Sequence, residues 1–173
     1  MLDRSGKLVV NYRKSHLYYN DKLWAKEGRE FTYFDLVTTE NKSIRCSLAI
    51  CMDINPKDFS SDDWELANHV VKTESDVLLF LTNWVDSEKE EVRSTDIAAT
   101  YNYWIHRLRP LILSKKTTLF LAADRVGVEY DVFAKKNTMF YGSSCAMMFN
   151  PSKILKNLDI KNEGYLLIET YLP

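Results

Sequence analysis

Residues 76–83, Asp-Val-Leu-Leu-Phe-Leu-Thr-Asn, constrain this fold more than any other stretch of the chain. The run is short for a core helix and lacks the polar alternation of a half-exposed strand, so it reads as a strand covered on both faces. Such a strand needs a layer on either side. Residues 117–123 form a second buried strand, and 43–50, 143–149 and 165–170 add further strand-like runs. Residues 7–12 are β-rich and lead into a polar-aromatic segment, 13–24. Segments 31–38 and 43–50, separated by the turn at 40–42, read as a hairpin. One helix pattern begins near Trp64, with Asp62 or Asp63 as its cap and Leu66, Ala67, Val70 and Val71 on one face. A longer one spans 94–113, with a stripe of Ile97, Tyr101, Trp104, Ile105 and Leu108; Pro110 predicts a kink or a stop near its end. Strands alternating with helices make the fold α/β, or layered α+β. With 5 Gly, 4 Pro and no repeat or linker, residues 1–173 read as one domain.

Charge and cysteine usage exclude several functions. Twenty-three basic and 24 acidic residues leave a net charge of −1, which argues against nucleic acid or an anionic membrane as the main partner. No apolar run approaches the roughly 18 residues of a membrane span, and the first residues lack the apolar core of a secretory signal. Three cysteines without metal-like spacing make no disulfide framework, so a reduced, intracellular protein is expected. The charged run 86–91 reads as a solvated helix start.

Cys51 follows the strand-like run 46–50. A thiol at the sharp end of a buried strand gains exposure and a neighbouring backbone N–H that can hold an oxyanion, although a buried inert thiol fits the same residue type. Cys46 and Cys145 lie within strands and read as buried thiols. Lys14, in Tyr12-Arg13-Lys14-Ser15-His16-Leu17, is either a solvated charge or a half-buried ammonium able to stabilise an oxyanion. Trp84, after Asn83 at a strand end, is a pocket wall or a core residue. Tyr141-Gly142-Ser143-Ser144 joins a flexible glycine to two hydroxyls. His69 and His106 lack ligand spacing, so no metal is expected.

Together these segments resemble the carbon–nitrogen hydrolase (nitrilase) superfamily, and within it the fungal-type amidases that deamidate N-terminal Asn and Gln. The lysine motif is Tyr12-Arg13-Lys14-Ser15-His16-Leu17-Tyr18-Tyr19-Asn20-Asp21, and the nucleophile elbow is Ala49-Ile50-Cys51-Met52-Asp53-Ile54-Asn55-Pro56. Thr82-Asn83-Trp84, Tyr103-Trp104-Ile105-His106-Arg107-Leu108-Arg109-Pro110, Ala123-Asp124-Arg125-Val126-Gly127 and Tyr141-Gly142-Ser143-Ser144-Cys145 follow in the family's order. The resemblance implies an αββα sandwich, usually paired across subunits as a homodimer, of which this chain supplies the C-terminal portion without the first strands and helices. It implies Cys51 as nucleophile, with Lys14 and the Met52 N–H holding the oxyanion, Glu27 as a supporting carboxylate, and no cofactor. Asp53, Asp124 and Glu129 are candidate anions for the substrate's α-ammonium; Trp84 and Ser143 are pocket candidates. The family's general-base glutamate lies upstream of the lysine motif, where this sequence carries only Asp3. Two expectations follow: an amidase acting on polypeptide N-termini in the cytoplasm or nucleus and feeding degradation set by the first residue, or a catalytically incomplete relative that binds peptides or a full-length partner.

Overall fold

The computed structural model describes residues 1–57, 59, 63–85, 97–132 and 135–172. Its frame is one six-stranded sheet in the order β1-β2-β3-β4-β7-β8, formed by Thr32–Val37, Ser43–Ile50, Val77–Thr82, Thr118–Asp124, Cys145–Phe149 and Lys153–Asn157. The two apolar runs read as covered strands are β3 and β4. They pair in parallel with each other, and β2 joins them in parallel, so three strands end at one edge. The hairpin partner β1 and the strands β7 and β8 add antiparallel flanks. A separate hairpin, β5 (Gly127–Asp131) with β6 (Lys136–Phe140), projects beyond β4.

Alternation along the strands sends Leu78, Phe80, Phe120 and Ala122 to one face, where α1 (Glu65–Lys72), α2 (Ile97–Arg107) and α3 (Arg109–Leu113) cover them with Leu66, Ala67, Val70, Trp104, Leu108 and Leu111. Val77, Leu79, Leu119 and Leu121 face the other way, where Val10, Ile168 and Leu172 from the two ends of the chain pack on them. The layered α/β expectation holds.

Three local expectations change. Residues 7–12 form no strand; only an isolated bridge joins Leu2 to Leu8. Residues 165–170 are irregular and contribute Ile168 to the second face as a packing residue rather than a ladder member. The cap position of α1 is Trp64, without a side-chain cap bond, and the Asp63 carbonyl instead accepts from Arg107. The break expected at Pro110 is present: the described part of the 94–113 pattern divides at Leu108 into α2 and α3, because Pro110 lacks the N–H that would continue the ladder and fits a first turn. Asp62 and the charged run 86–91 lie outside the described residues.

Candidate active site

The site is assembled at the edge where β2, β3 and β4 end. Cys51 leaves β2 directly into a 3-10 turn, Cys51–Ile54, with φ at +47°. A side chain in that left-handed region is strained, and here the strain turns the thiol out of the sheet line. Cys51 is half-buried, and its Sγ lies 3.9 Å from the carbonyl of Asn83, at the end of β3. The other two thiols are buried in the sheet. Desolvation pushes Cys46 up to about 11 and Cys145 up to about 12, so neither forms thiolate near neutrality.

Lys14 sits in the loop before β1. Its Nζ is 2.5 Å from Asp21 Oδ2, and the two side chains are 14% and 19% exposed. Asp21 also accepts from the Tyr18 N–H, which fixes its carboxylate. The loop is held from outside by the Gly28 N–H, which donates to the Lys14 carbonyl at 2.8 Å. A Cβ on Gly28 would lie 2.3 Å from the Arg13 carbonyl oxygen, so only glycine allows this approach. The sequence placed Glu27 in support of Lys14. In the structure Glu27 pairs instead with Lys57 at 2.9 Å on the exposed rim, and that ammonium lowers its carboxyl. Both rim residues line a shallow cavity of about 110 Å³ with His16, Tyr18, Lys22 and Met52. Asp21 was legible only as part of the quoted motif; nothing in its spacing singled it out.

Asp53 is fully buried and accepts four hydrogen bonds: from Tyr12 Oη at 2.7 Å, the Ser15 N–H at 2.9 Å, the His16 N–H at 2.8 Å and the Ile50 N–H at 2.7 Å. Burial pushes its carboxyl up, while the donors favour the carboxylate. With its oxygens so occupied, Asp53 is no free anion for an incoming ammonium. His16 fastens the same loop further, meeting the Asn55 carbonyl through Nδ1 at 2.7 Å and Glu65 through Nε2 at 2.9 Å.

The remaining candidates separate. Glu129 stands exposed on β5 and pairs with Arg125. Trp84 packs edge-on against Trp104 and tilted against Tyr103, and its backbone N–H donates to Asp124 Oδ1. Asp124 Oδ2 is buried without a partner among the described residues, and burial raises this carboxyl to about 8. Ser143 is fully buried with φ at +62°, and its hydroxyl is likewise unpartnered there. Strand register pairs Thr82 with Asp124 and Ile50 with Leu81. The ladders therefore end with Ile50, Thr82 and Asp124 at this edge. Among the described residues no group of His, Cys, Asp and Glu is arranged to hold a metal.

The chain is similar to several known proteins. No family model matches the chain. A protein N-terminal amidase of Schizosaccharomyces pombe is 32% identical over 170 residues, which cover 90% of this chain and 56% of that protein. The chain thus spans just over half the length of the curated relative it matches. Two crystal structures of N-terminal amidase, one with a Gln-Val peptide and one with an Asn-Glu peptide, superpose with a TM-score of 0.75 at 16% identity. Each match covers 92% of this chain and 71% of that one. A carbon–nitrogen hydrolase from Helicobacter pylori matches with a TM-score of 0.67 at 20% identity, over 94% of this chain and 52% of that one. These likenesses establish the nitrilase-type fold. In sequence the chain is similar to a protein N-terminal amidase, and in fold to the carbon–nitrogen hydrolases.

Proposed function

We propose that the protein is an amidohydrolase that converts N-terminal Asn and Gln of polypeptides to Asp and Glu. The observation that carries the reading is the joining of the two motifs. The loop bearing Lys14 and the elbow bearing Cys51 meet on Asp53, while the two remaining thiols are buried away from solvent. The sequence relative is named a protein N-terminal amidase, and the solved structures of like fold hold peptides that begin with Gln or Asn.

In this mechanism Cys51 Sγ attacks the side-chain amide carbon and a C–S bond forms. Negative charge gathers on the amide oxygen, where the Lys14 ammonium and the Met52 N–H stabilise it. Asp21 holds the Lys14 ammonium in place through their ion pair. The C–N bond breaks and nitrogen leaves as ammonia, carrying the proton that the thiol gave up. Water then adds to the thioester, the C–S bond breaks, and the acid departs with the thiol restored. None of these steps calls for a cofactor. Asp124 is the acid left to meet the α-ammonium, since Asp53 is saturated and Glu129 is paired on the surface; a bound ammonium beside it would favour the ionised form that burial alone disfavours. The reading also takes the chain as one domain that works as a homodimer in the cytoplasm or nucleus, supplying substrates for degradation signalled by the first residue.

Purified protein given peptides that begin with Asn or Gln releases ammonia, and Cys51→Ala abolishes the release. Turnover of aliphatic nitriles with peptides ignored overturns the substrate assignment. Peptide binding without ammonia release overturns the enzymatic one.

A further inference from the structure

We infer that Asp53 is a positioning residue that sets the placement of Lys14 relative to Cys51, a role that rests on the amidase reading of this site. All four of its hydrogen bonds come from the two segments that carry those residues. Three come from the lysine loop: the Tyr12 hydroxyl and the N–H groups of Ser15 and His16. The fourth comes from Ile50, the residue before the nucleophile. Asp53 itself lies two residues after Cys51, inside the turn that bends the thiol outward. One fully buried carboxylate is therefore shared by the residue after Lys14 and the residue before Cys51.

The chemistry favours an ionised aspartate at this position. Every partner is a donor, and three of them are backbone groups that cannot turn away. An asparagine would set its own N–H₂ against those donors and lose at least one bond. Glutamate would keep the charge but extend it by one methylene into a closed space. Neither substitution touches the side chains of Lys14 or Cys51. Their effect must pass through geometry, where a displacement of about 1 Å costs up to about 100-fold.

The test uses alkylation of Cys51 by iodoacetamide, which needs no turnover and carries internal controls in Cys46 and Cys145. Asp53→Asn is expected to slow Cys51 alkylation about 10-fold or more, while Cys46 and Cys145 stay protected. An Asn variant whose Cys51 reacts at the wild-type rate, with the other two thiols protected, overturns the inference. If Asp53→Asn exposes all three thiols, the variant has unfolded and Tyr12→Phe decides. That change removes one donor and leaves the backbone bonds in place, so it is expected to slow Cys51 several-fold with the fold intact; no change overturns the inference. In an active preparation the same variants are expected to lower kcat with little change in KM, a split that simple loss of folded protein does not reproduce. Failure of wild-type protein to release ammonia would count against the amidase reading alone, because the alkylation comparison stands without it.

Discussion

On the helix side of the sheet, Trp104, Phe80, Phe120, Leu108 and Leu111 are fully buried, and their rings interlock at centroid distances of 5.5–5.9 Å. On the opposite side Leu79 and Leu121 are only half-buried, under Ile168 and Leu172 from an irregular tail, and Leu81 is 56% exposed. Both faces use the same strands and nearly the same residue types. The difference lies in what covers them: three helices that bring whole apolar stripes, against single side chains from the chain ends. Stability therefore concentrates on the helix side, where α2 also carries Tyr103 against Trp84 and so braces the edge of the site. Trp104→Ala is expected to remove about 3–5 kcal/mol in thermal or denaturant unfolding. Leu79→Ala on the other side should remove about 1–2 kcal/mol. Equal losses would break the comparison.

A second contrast concerns charge. Asp124 is held beside Trp84 at the strand edge with one oxygen unpartnered, and burial raises its carboxyl from an ordinary 3.8 to about 8. Between those two values the native chain keeps a proton that the unfolded chain has released. The contribution of this one group to stability is then full below pH 3.8 and is lost as pH rises toward 8. Asp124→Asn keeps the acceptor for the Trp84 N–H and removes the titration. The variant should lose this decline, gaining on the wild type by on the order of 1–2 kcal/mol between pH 5 and pH 8 once partial exposure is discounted. Unfolding midpoints measured at both pH values check this. Parallel slopes for the two proteins would show that Asp124 is already ionised and solvated.

How far the sequence could be read follows the same division. The buried strands β3 and β4 and the stripe of α2 were legible because continuous burial leaves a continuous apolar pattern. The hairpin β5–β6 was not: nearly all of β5 is exposed, so no apolar period marks it. Residues 165–170 showed β-rich character but lie as a packed tail, since Ile168 is used sideways and no neighbouring strand accepts its backbone. In the site, Cys51 and Lys14 stood out by motif. The choice between Asp21 and Glu27 as the lysine's partner depended on the loop's path, which the close approach of Gly28 to Arg13 controls. Asp53 was read as a candidate for substrate because its acidity was visible and its four donors, three of them about 40 residues away, were not.

The smallest expected effect tests the thinner face most directly. Leu81 lies one residue before Thr82 but points away from the helices, and 56% of its surface meets solvent. Truncating an exposed leucine to a polar residue removes little buried area, so Leu81→Ser should change unfolding stability by less than about 0.5 kcal/mol. With Leu81 in solvent, the result should not depend on protein concentration. A loss above about 1.5 kcal/mol would require Leu81 to be covered in solution. If that loss also grew with protein concentration, the cover would be a second copy of the chain; if it did not, the tail bearing Ile168 and Leu172 would reach further across the sheet than it does here. Both outcomes would reduce the inequality between the faces. A null result would leave the helix side carrying the fold, with this side the place where added apolar cover would stabilise the chain most.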